Sequence, residues 1–232
     1  MKYITLIIPV YNEQESIDSL LERLNLLDNS VSNYQFEFLF INDGSQDKTL
    51  DILEELSHFG YSFYVSPKKG RANQMNFGAE ISHGDILWFV HADSVLQKDV
   101  IQKVIDCPTE VGCLKIKFYP NSFPMRVNSI VSNMRASITN LAFGDQALFL
   151  SREAFEKVGR YEDMPIMEDY RISEDLSANG YKITVIDSSV TTSTRRYKGH
   201  VKKTMWQMQK YQKMYRRGVP VEEIAKMYRD VR

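Results

Sequence analysis

Gly84-Asp85-Ile86-Leu87-Trp88-Phe89-Val90-His91-Ala92-Asp93-Ser94 is the stretch on which the fold turns. A short apolar run reads as a buried strand and empties into a polar tip carrying Asp93, with His91 two residues before it. Side chains alternate along a strand, so His91 and Asp93 share one side of the chain. An imidazole and a carboxylate then meet at the C-terminal end of a strand, the edge where open α/β sheets bind ligands. A carboxylate there can take a hard divalent cation, and the cation can hold a diphosphate. The plainer reading is a turn, because Asp and Ser after a strand are ordinary punctuation.

Two more segments change the balance. Tyr3-Ile4-Thr5-Leu6-Ile7-Ile8-Pro9-Val10-Tyr11-Asn12-Glu13 opens the chain with an apolar strand ending at Pro9. Phe36 to Ile41 is a second apolar run, released into Asn42-Asp43-Gly44-Ser45-Gln46-Asp47. Three strand-like runs thus end in Glu13, Asp43 and Asp93, and parallel strands gather such ends on one edge. Between them Ile17, Leu20, Leu21, Leu24 and Leu27 have the spacing of one buried helical face, as do Leu50, Leu53 and Leu56 over Asp47 to Ser57. The pattern continues with strands at Tyr61 to Val65, Ile86 to Val90 and Val111 to Phe118, and helices at Ala72 to Ile81 and Val95 to Ile105. Such alternation predicts an α/β fold, a mostly parallel sheet with helices on both faces.

After Phe118 the alternation loosens. Residues 119–124 read as a loop, Met125 to Leu141 as helical, and Ala147 to Leu150 as a strand. Helices follow at Arg152 to Val158, stopped by Gly159, and at Glu168 to Asn179, closed by Gly180. Tyr181 to Ile186 and Val190 to Thr194 read as the last two strands. From Lys198 the chain is helical, its Trp206, Met208, Tyr211, Met214 and Tyr215 set among lysines and arginines. Packing on the core explains that aromatic face most cheaply; contact with a membrane surface or a second subunit is the sharper reading.

Bulk properties narrow the function classes. A formal net charge of −1 gives no global field to recruit nucleic acid or anionic lipid. The two cysteines, Cys107 and Cys113, follow no secretory signal, so reduced thiols in a cytoplasmic protein are the expectation. They also lack the second pair that a zinc site needs. No apolar run approaches the ~20 residues that cross a bilayer, so no transmembrane span is expected.

Ile7-Ile8-Pro9-Val10-Tyr11-Asn12-Glu13, Asn42-Asp43-Gly44-Ser45, Gly70-Arg71-Ala72-Asn73-Gln74-Met75-Asn76 and His91-Ala92-Asp93 stand in that order. In this the chain resembles the family-2 glycosyltransferases of GT-A fold, from residue 3 to about residue 190. Gly144-Asp145-Gln146, Met167-Glu168-Asp169 and the Tyr228-Arg229-x-Val231-Arg232 ending are similar, more narrowly, to a bacterial subgroup of arsenosugar-biosynthesis type, associated with radical-SAM and selenium-related neighbours. The resemblance implies a GT-A domain over residues 1–197 with a helical appendage over residues 198–232. It implies inverting transfer of a sugar from a nucleotide-sugar donor, UDP-linked, to an acceptor hydroxyl of a small molecule, a glycan or a lipid-linked compound, with Mn2+ or Mg2+ as cofactor.

Site residues follow from the same resemblance. Asp43 matches the acid that hydrogen-bonds the nucleotide base, and Pro9, Glu13, Arg71 and His91 fall with it on the donor side. Asp93 matches the metal-binding acid, while His91 stands where the family usually has Asp and is open to three readings: a hydrogen bond to ribose, a cation ligand, or packing. His200 is a candidate further metal ligand. An imidazole ligand suits manganese better than magnesium. Asp169 matches the general base, and Asp145, Gln146 and Glu168 fall on the acceptor side. Plainer readings stand beside each: Asp43 as a helix cap, Glu13, Asp47, Glu168 and Asp169 as first-turn helix charges, Arg71, Arg195, Arg196 and His200 as solvated charge. Asn76 is expected to lock loops rather than touch ligand.

Two rival functions differ in class. A nucleotidyltransferase wants a glycine-rich, basic loop straight after the first strand, which Pro9 to Glu13 does not offer. The other is a non-catalytic sugar-nucleotide-binding protein or partner subunit, against which Asp43, Asp93 and Asp169 together speak.

Overall fold

The computed structural model describes residues 2–17, 20, 33–194, 197 and 201–229. Strand β1 (Lys2–Val10) lies between β2 (Tyr34–Asn42) and β4 (Ile86–Phe89), parallel to both, with Val10 level with Asn42 and Ile7 level with Phe89. Ile4, Leu6, Ile8 and Val10 enter one core cluster while Ile7 enters another, so β1 is buried on both faces. That double burial is why its sequence reads as a continuous apolar run. Beyond β2 comes β3 (Ser62–Val65), and beyond β4 the sheet continues in space through Phe149–Ser151, Val111–Tyr119, Ile183–Ser193 and, at its edge, Val95–Leu96.

Helix α1 (Thr49–Ser57) follows β2, and α2 (Arg71–Ile81) packs across β1 and β2. Gly78 permits that approach: a Cβ there would lie 2.5 Å from Ile7 Cγ2 and 3.1 Å from Ile41 Cγ1. Gly78→Ala is therefore expected to destabilise the fold by about 1–3 kcal/mol through overpacking, read as a lower denaturant midpoint at unchanged slope. An unshifted midpoint would show that α2 can slide on the sheet.

The second half departs from simple alternation. Strand β7 (Phe149–Ser151) runs antiparallel to both β4 and β6 (Val111–Tyr119), and β5 (Val95–Leu96) antiparallel to β8 (Ile183–Ser193), making the sheet mixed. The single helix expected over Val95 to Ile105 is a strand, a turn and a short helix α3 (Val100–Ile105). Val95 and Leu96 pair with Thr191 and Val190 at the sheet's edge, while Val100, Ile101 and Val104 keep the buried face. The helical spacing is thus satisfied by two kinds of element. Conversely, the two strands expected at 181–186 and 190–194 are one. A register shift against β6, between Cys113 and Lys115, carries β8 through Asp187, Ser188 and Ser189 without a break.

Long helix α4 (Phe123–Thr139) crosses β6 and β8, and α5 (Arg152–Lys157) follows β7. Helix α6 (Glu168–Ala178) is held at its start by α7 (Val201–Arg216) and α8 (Val221–Arg229). Met167, Tyr170, Tyr211 and Ile224 form one buried cluster, and Tyr211 Oη donates to Met227 O at 3.0 Å. The C-terminal helices are therefore packed onto the α6 end of the sheet domain. Both cysteines are free, and burial pushes the Cys113 thiol up to about 12.

Candidate active site

Because β2, β1 and β4 are parallel, the loops leaving them emerge at one edge carrying Asp43, Glu13, His91 and Asp93. Strand β7 is antiparallel to β4, so the segment entering it lies at that same edge. Phe89 N donates to Leu148 O at 2.9 Å and Trp88 Nε1 to Ala147 O at 3.1 Å. This brings the Gly144–Gln146 turn, with Asp145, beside the tip of β4. Gly144 N in turn donates to Asp169 Oδ2 at 2.9 Å, drawing in the start of α6. Asp43, Asp93 and the Asp145–Asp169 pair are thus laid out in the order of strands β2, β4 and β7. Strands are about 4.8 Å apart, so β2 and β4, with β1 between them, are separated by about 10 Å.

The loops after β1 and β2 are sewn together by side chains. Asn12 N donates to Ser45 Oγ at 3.0 Å, Gln46 N to Asn12 Oδ1 at 2.8 Å, and Asn42 Oδ1 accepts from Ser45 Oγ at 2.7 Å. Asp47 accepts from Gln14 N at 3.3 Å and Thr49 N at 3.0 Å. Its carboxyl sits below the usual range, where those hydrogen bonds outweigh desolvation. Glu13 accepts Ser16 Oγ at 2.7 Å and its N donates to Thr49 Oγ1 at 2.9 Å, the pattern of a helix start. Pro9 is half-buried, level with Ile41.

Asp43 is the exception in this stitched floor. Its Oδ2 accepts Gly70 N at 3.1 Å, but among the described residues its buried Oδ1 has no hydrogen-bond partner. A buried carboxylate oxygen left unpaired costs free energy that folding must supply elsewhere, and groups of this kind concentrate where a ligand provides the missing donor.

Asp93 is half-buried and accepts Thr192 Oγ1 at 3.2 Å from β8. Among the described residues no three His, Cys, Asp or Glu side chains gather as a metal cluster. The donor set still fits a hard cation that arrives with phosphate oxygens, since such ions are commonly held by one or two carboxylates plus the substrate. His91 lies beside the Gly144 turn: a Cβ on Gly144 would lie 2.9 Å from its Nε2 and 3.6 Å from Asp169 Oδ2. The structure thus puts the imidazole on the Asp169 side of the tip. His200, Arg195 and Arg196 lie outside the described residues.

Asp169 is fixed at both oxygens, Oδ2 by Gly144 N and Oδ1 by Tyr170 N at 2.7 Å. Its neighbour Glu168 is buried and ion-paired with Arg71 Nε, whose side chain is a third exposed. Desolvation opposes the Arg71 charge, but Glu168 and then Asp169 hold the guanidinium well above its ordinary value. Burial first, then the same two carboxylates, push the Tyr161 phenol well up. Asp145 and Asp169 face Arg135, which burial lowers from its ordinary value but which remains a cation. Gln146 is fully buried; its Oε1 accepts Arg135 Nη2 at 2.8 Å and its Nε2 donates to Leu114 O at 3.4 Å. It sets Arg135, whose Cζ lies 3.5 Å from the centre of the Phe143 ring.

Two residues of α2 support the site from beneath. Gln74 is buried and its Nε2 donates to Val10 O at 2.9 Å and Ile41 O at 2.6 Å, closing the two strand ends. Asn76 does lock loops, exchanging hydrogen bonds with Tyr161 O at 2.8 Å and Tyr161 N at 3.0 Å.

Residues 5–107 match the family described as Glycosyl transferase family 2. Among solved structures the chain is similar to mannosyltransferase PcManGT from Pyrobaculum calidifontis in complex with GDP-Man and Mn2+, at 18% identity over 90% of this chain and 61% of that one, with a TM-score of 0.68. It is similar to S. aureus TarS 1-349 in complex with UDP-GlcNAc, at 19% identity over 84% of this chain and 59% of that one, with a TM-score of 0.64. This chain therefore spans about six tenths of the length of the structures it matches. The fold is GT-A: a curled mixed sheet flanked by helices, as in these structures.

Proposed function

We propose that the protein transfers a sugar from a nucleotide-linked donor, UDP-linked, to an acceptor hydroxyl with inversion at the anomeric carbon. The observation that carries this reading is Asp43 Oδ1, a buried side-chain oxygen left without a hydrogen-bond partner among the described residues. The imide N–H of a uracil is the donor such an oxygen lacks. With the base at β2, a nucleoside diphosphate has the reach to cross β1 and bring its phosphates to the tip of β4, about 10 Å away. Asp93 would hold a divalent cation there, and that cation, Mn2+ or Mg2+, would offset charge on the departing diphosphate. Arg71, anchored by Glu168 at the N-terminus of α2, supplies positive charge on the same side. Asp169, its plane fixed by two backbone N–H groups, would take the acceptor's proton, with Asp145 and His91 lining that end.

Asp43→Ala tests the donor site. Losing one hydrogen bond to the base is worth on the order of 1–3 kcal/mol, so UDP affinity is expected to fall roughly 5- to 150-fold by calorimetry. Stability should not fall with it by a comparable amount, because the substitution also removes a buried oxygen that had no partner. Wild-type affinity for UDP in the variant would reject base recognition by Asp43. A donor screen by mass spectrometry names the sugar, and the narrower subgroup likeness makes an arsenic-bearing acceptor the first to offer in it.

A further inference from the structure

Charge is segregated along this nearly neutral chain. Residues 111–144 and 188–221 contain no aspartate or glutamate and carry 13 of the 29 lysines and arginines, leaving 16 basic against 30 acidic residues elsewhere. The two acid-free segments meet in space: they include α4 and α7, which pack on each other. Asn128 Nδ2 on α4 donates to Tyr197 Oη at 3.1 Å, and Met125 shares a buried cluster with Val201 and Met205.

Helix α4 buries Met125 and Ala136 and presents its other side to solvent. That side is Phe123, Val127, Ile130, Val131, Met134 and Ile138, all exposed, with Phe123 at 77% and Ile138 at 73%. Their spacing of three and four residues makes one continuous apolar stripe, where a solvent-facing helix side would ordinarily be polar. On α7, Trp206 is 66% exposed and Lys210 Nζ lies 5.9 Å from its ring centre, with Lys203 and Lys213 exposed on the same helix. No described helix is long and apolar enough to cross a membrane.

We infer that the α4 stripe, with the basic α7 beside it, is a docking face for an anionic lipid surface, into whose interface the α4 side chains insert while α7 lysines meet the headgroups. The combination is the one such surfaces select: aliphatic and aromatic side chains at the acyl boundary, flanking cations, and no carboxylate to be repelled. A second copy of this chain would bring the same positive charge against itself across the interface, which is why lipid is the occupant chosen. An amphipathic face is not a span, so the binding is peripheral and reversible.

Sedimentation of the full chain with vesicles tests it. Binding is expected to vesicles of phosphatidylcholine and phosphatidylglycerol in equal parts, to be far weaker with phosphatidylcholine alone, and to weaken as salt is raised. Lys210→Gln with Lys213→Gln should lower the partition coefficient about fivefold per residue, the worth of one basic side chain near an anionic surface. Ile130→Ser with Ile138→Ser should lower it by about tenfold per residue, as aliphatic area stays in water. These positions are exposed, so the fold should be kept, and far-ultraviolet circular dichroism and the melting temperature check that. Absence of binding to the anionic vesicles, or equal binding to both compositions, overturns the inference. So does a concentration-dependent dimer, seen by ultracentrifugation and abolished by the isoleucine pair, because the stripe would then belong to a second copy. No donor or acceptor is needed, so this result and the transfer reaction stand or fall separately.

Discussion

Asp169→Asn is expected to reduce sugar transfer by about 10²–10⁴-fold, the usual worth of a positioned general base, while nucleotide affinity stays at the wild-type level. The split follows from position. Asp169 lies at the β7 side of the sheet edge, held by Gly144 N, whereas Asp43, the residue proposed to read the base, follows β2. Because Asp169 accepts a backbone N–H on each oxygen, an amide can satisfy only one of them and must set its NH2 against the other donor. A fall in melting temperature of a few degrees is therefore expected too, and turnover must be compared well below it. Glu168→Gln should behave differently. It loosens the buried partner of Arg71, so its effect should appear in stability and donor affinity before turnover. Asp145→Asn should act mainly through acceptor affinity. Wild-type turnover in Asp169→Asn, beside a collapse in Asp145→Asn or Glu168→Gln, would move the base to that residue.

What could be read from the sequence was what parallel strands make local. Glu13, Asp43 and Asp93 each follow an apolar run, and parallel pairing alone sends those ends to one edge, so their convergence needed no knowledge of the rest of the chain. Asp145 and Asp169 are different in kind. They reach that edge only because β7 runs antiparallel beside β4, and nothing in the three residues of that strand announces its direction. Position in a motif also does not announce a side chain's partners within the protein. Glu13 accepts Ser16 Oγ at a helix start, Asp47 ties Gln14 N to Thr49 N, and Gln146, in the Gly144-Asp145-Gln146 motif, is buried against Arg135.

Helical spacing proved ambiguous where the chain was short of length. Leu96, Val100, Ile101 and Val104 are all buried, but only the last three are on a helix. Leu96 instead gives β8 an edge partner, a tertiary demand that local pattern does not encode. Gln74 was concealed for the opposite reason. A glutamine on a helix reads as solvent-facing, yet Gly78 four residues on marks the close approach of α2 to β1 that buries it.

Asp93→Ala is expected to abolish the manganese dependence of UDP binding and to lower turnover by on the order of 10³-fold, since the cation's share of leaving-group stabilisation is several kcal/mol. The fold should survive, because the hydrogen bond given up is the 3.2 Å contact from Thr192 Oγ1. Asp93→Asn separates charge from shape: it keeps an oxygen for Thr192 but not the anionic ligand, so it should resemble Asp93→Ala in metal dependence and the parent in stability. His91→Ala is the control two residues before it. Its ring lies against Gly144 on the Asp169 side, so its loss should appear in turnover and leave manganese-dependent UDP affinity within a few fold. A parent-like response to manganese in both Asp93 variants, with the response lost in His91→Ala, would transfer the cation from the carboxylate to the imidazole. In that event the preference for manganese over magnesium should sharpen, because an imidazole ligand suits the softer ion.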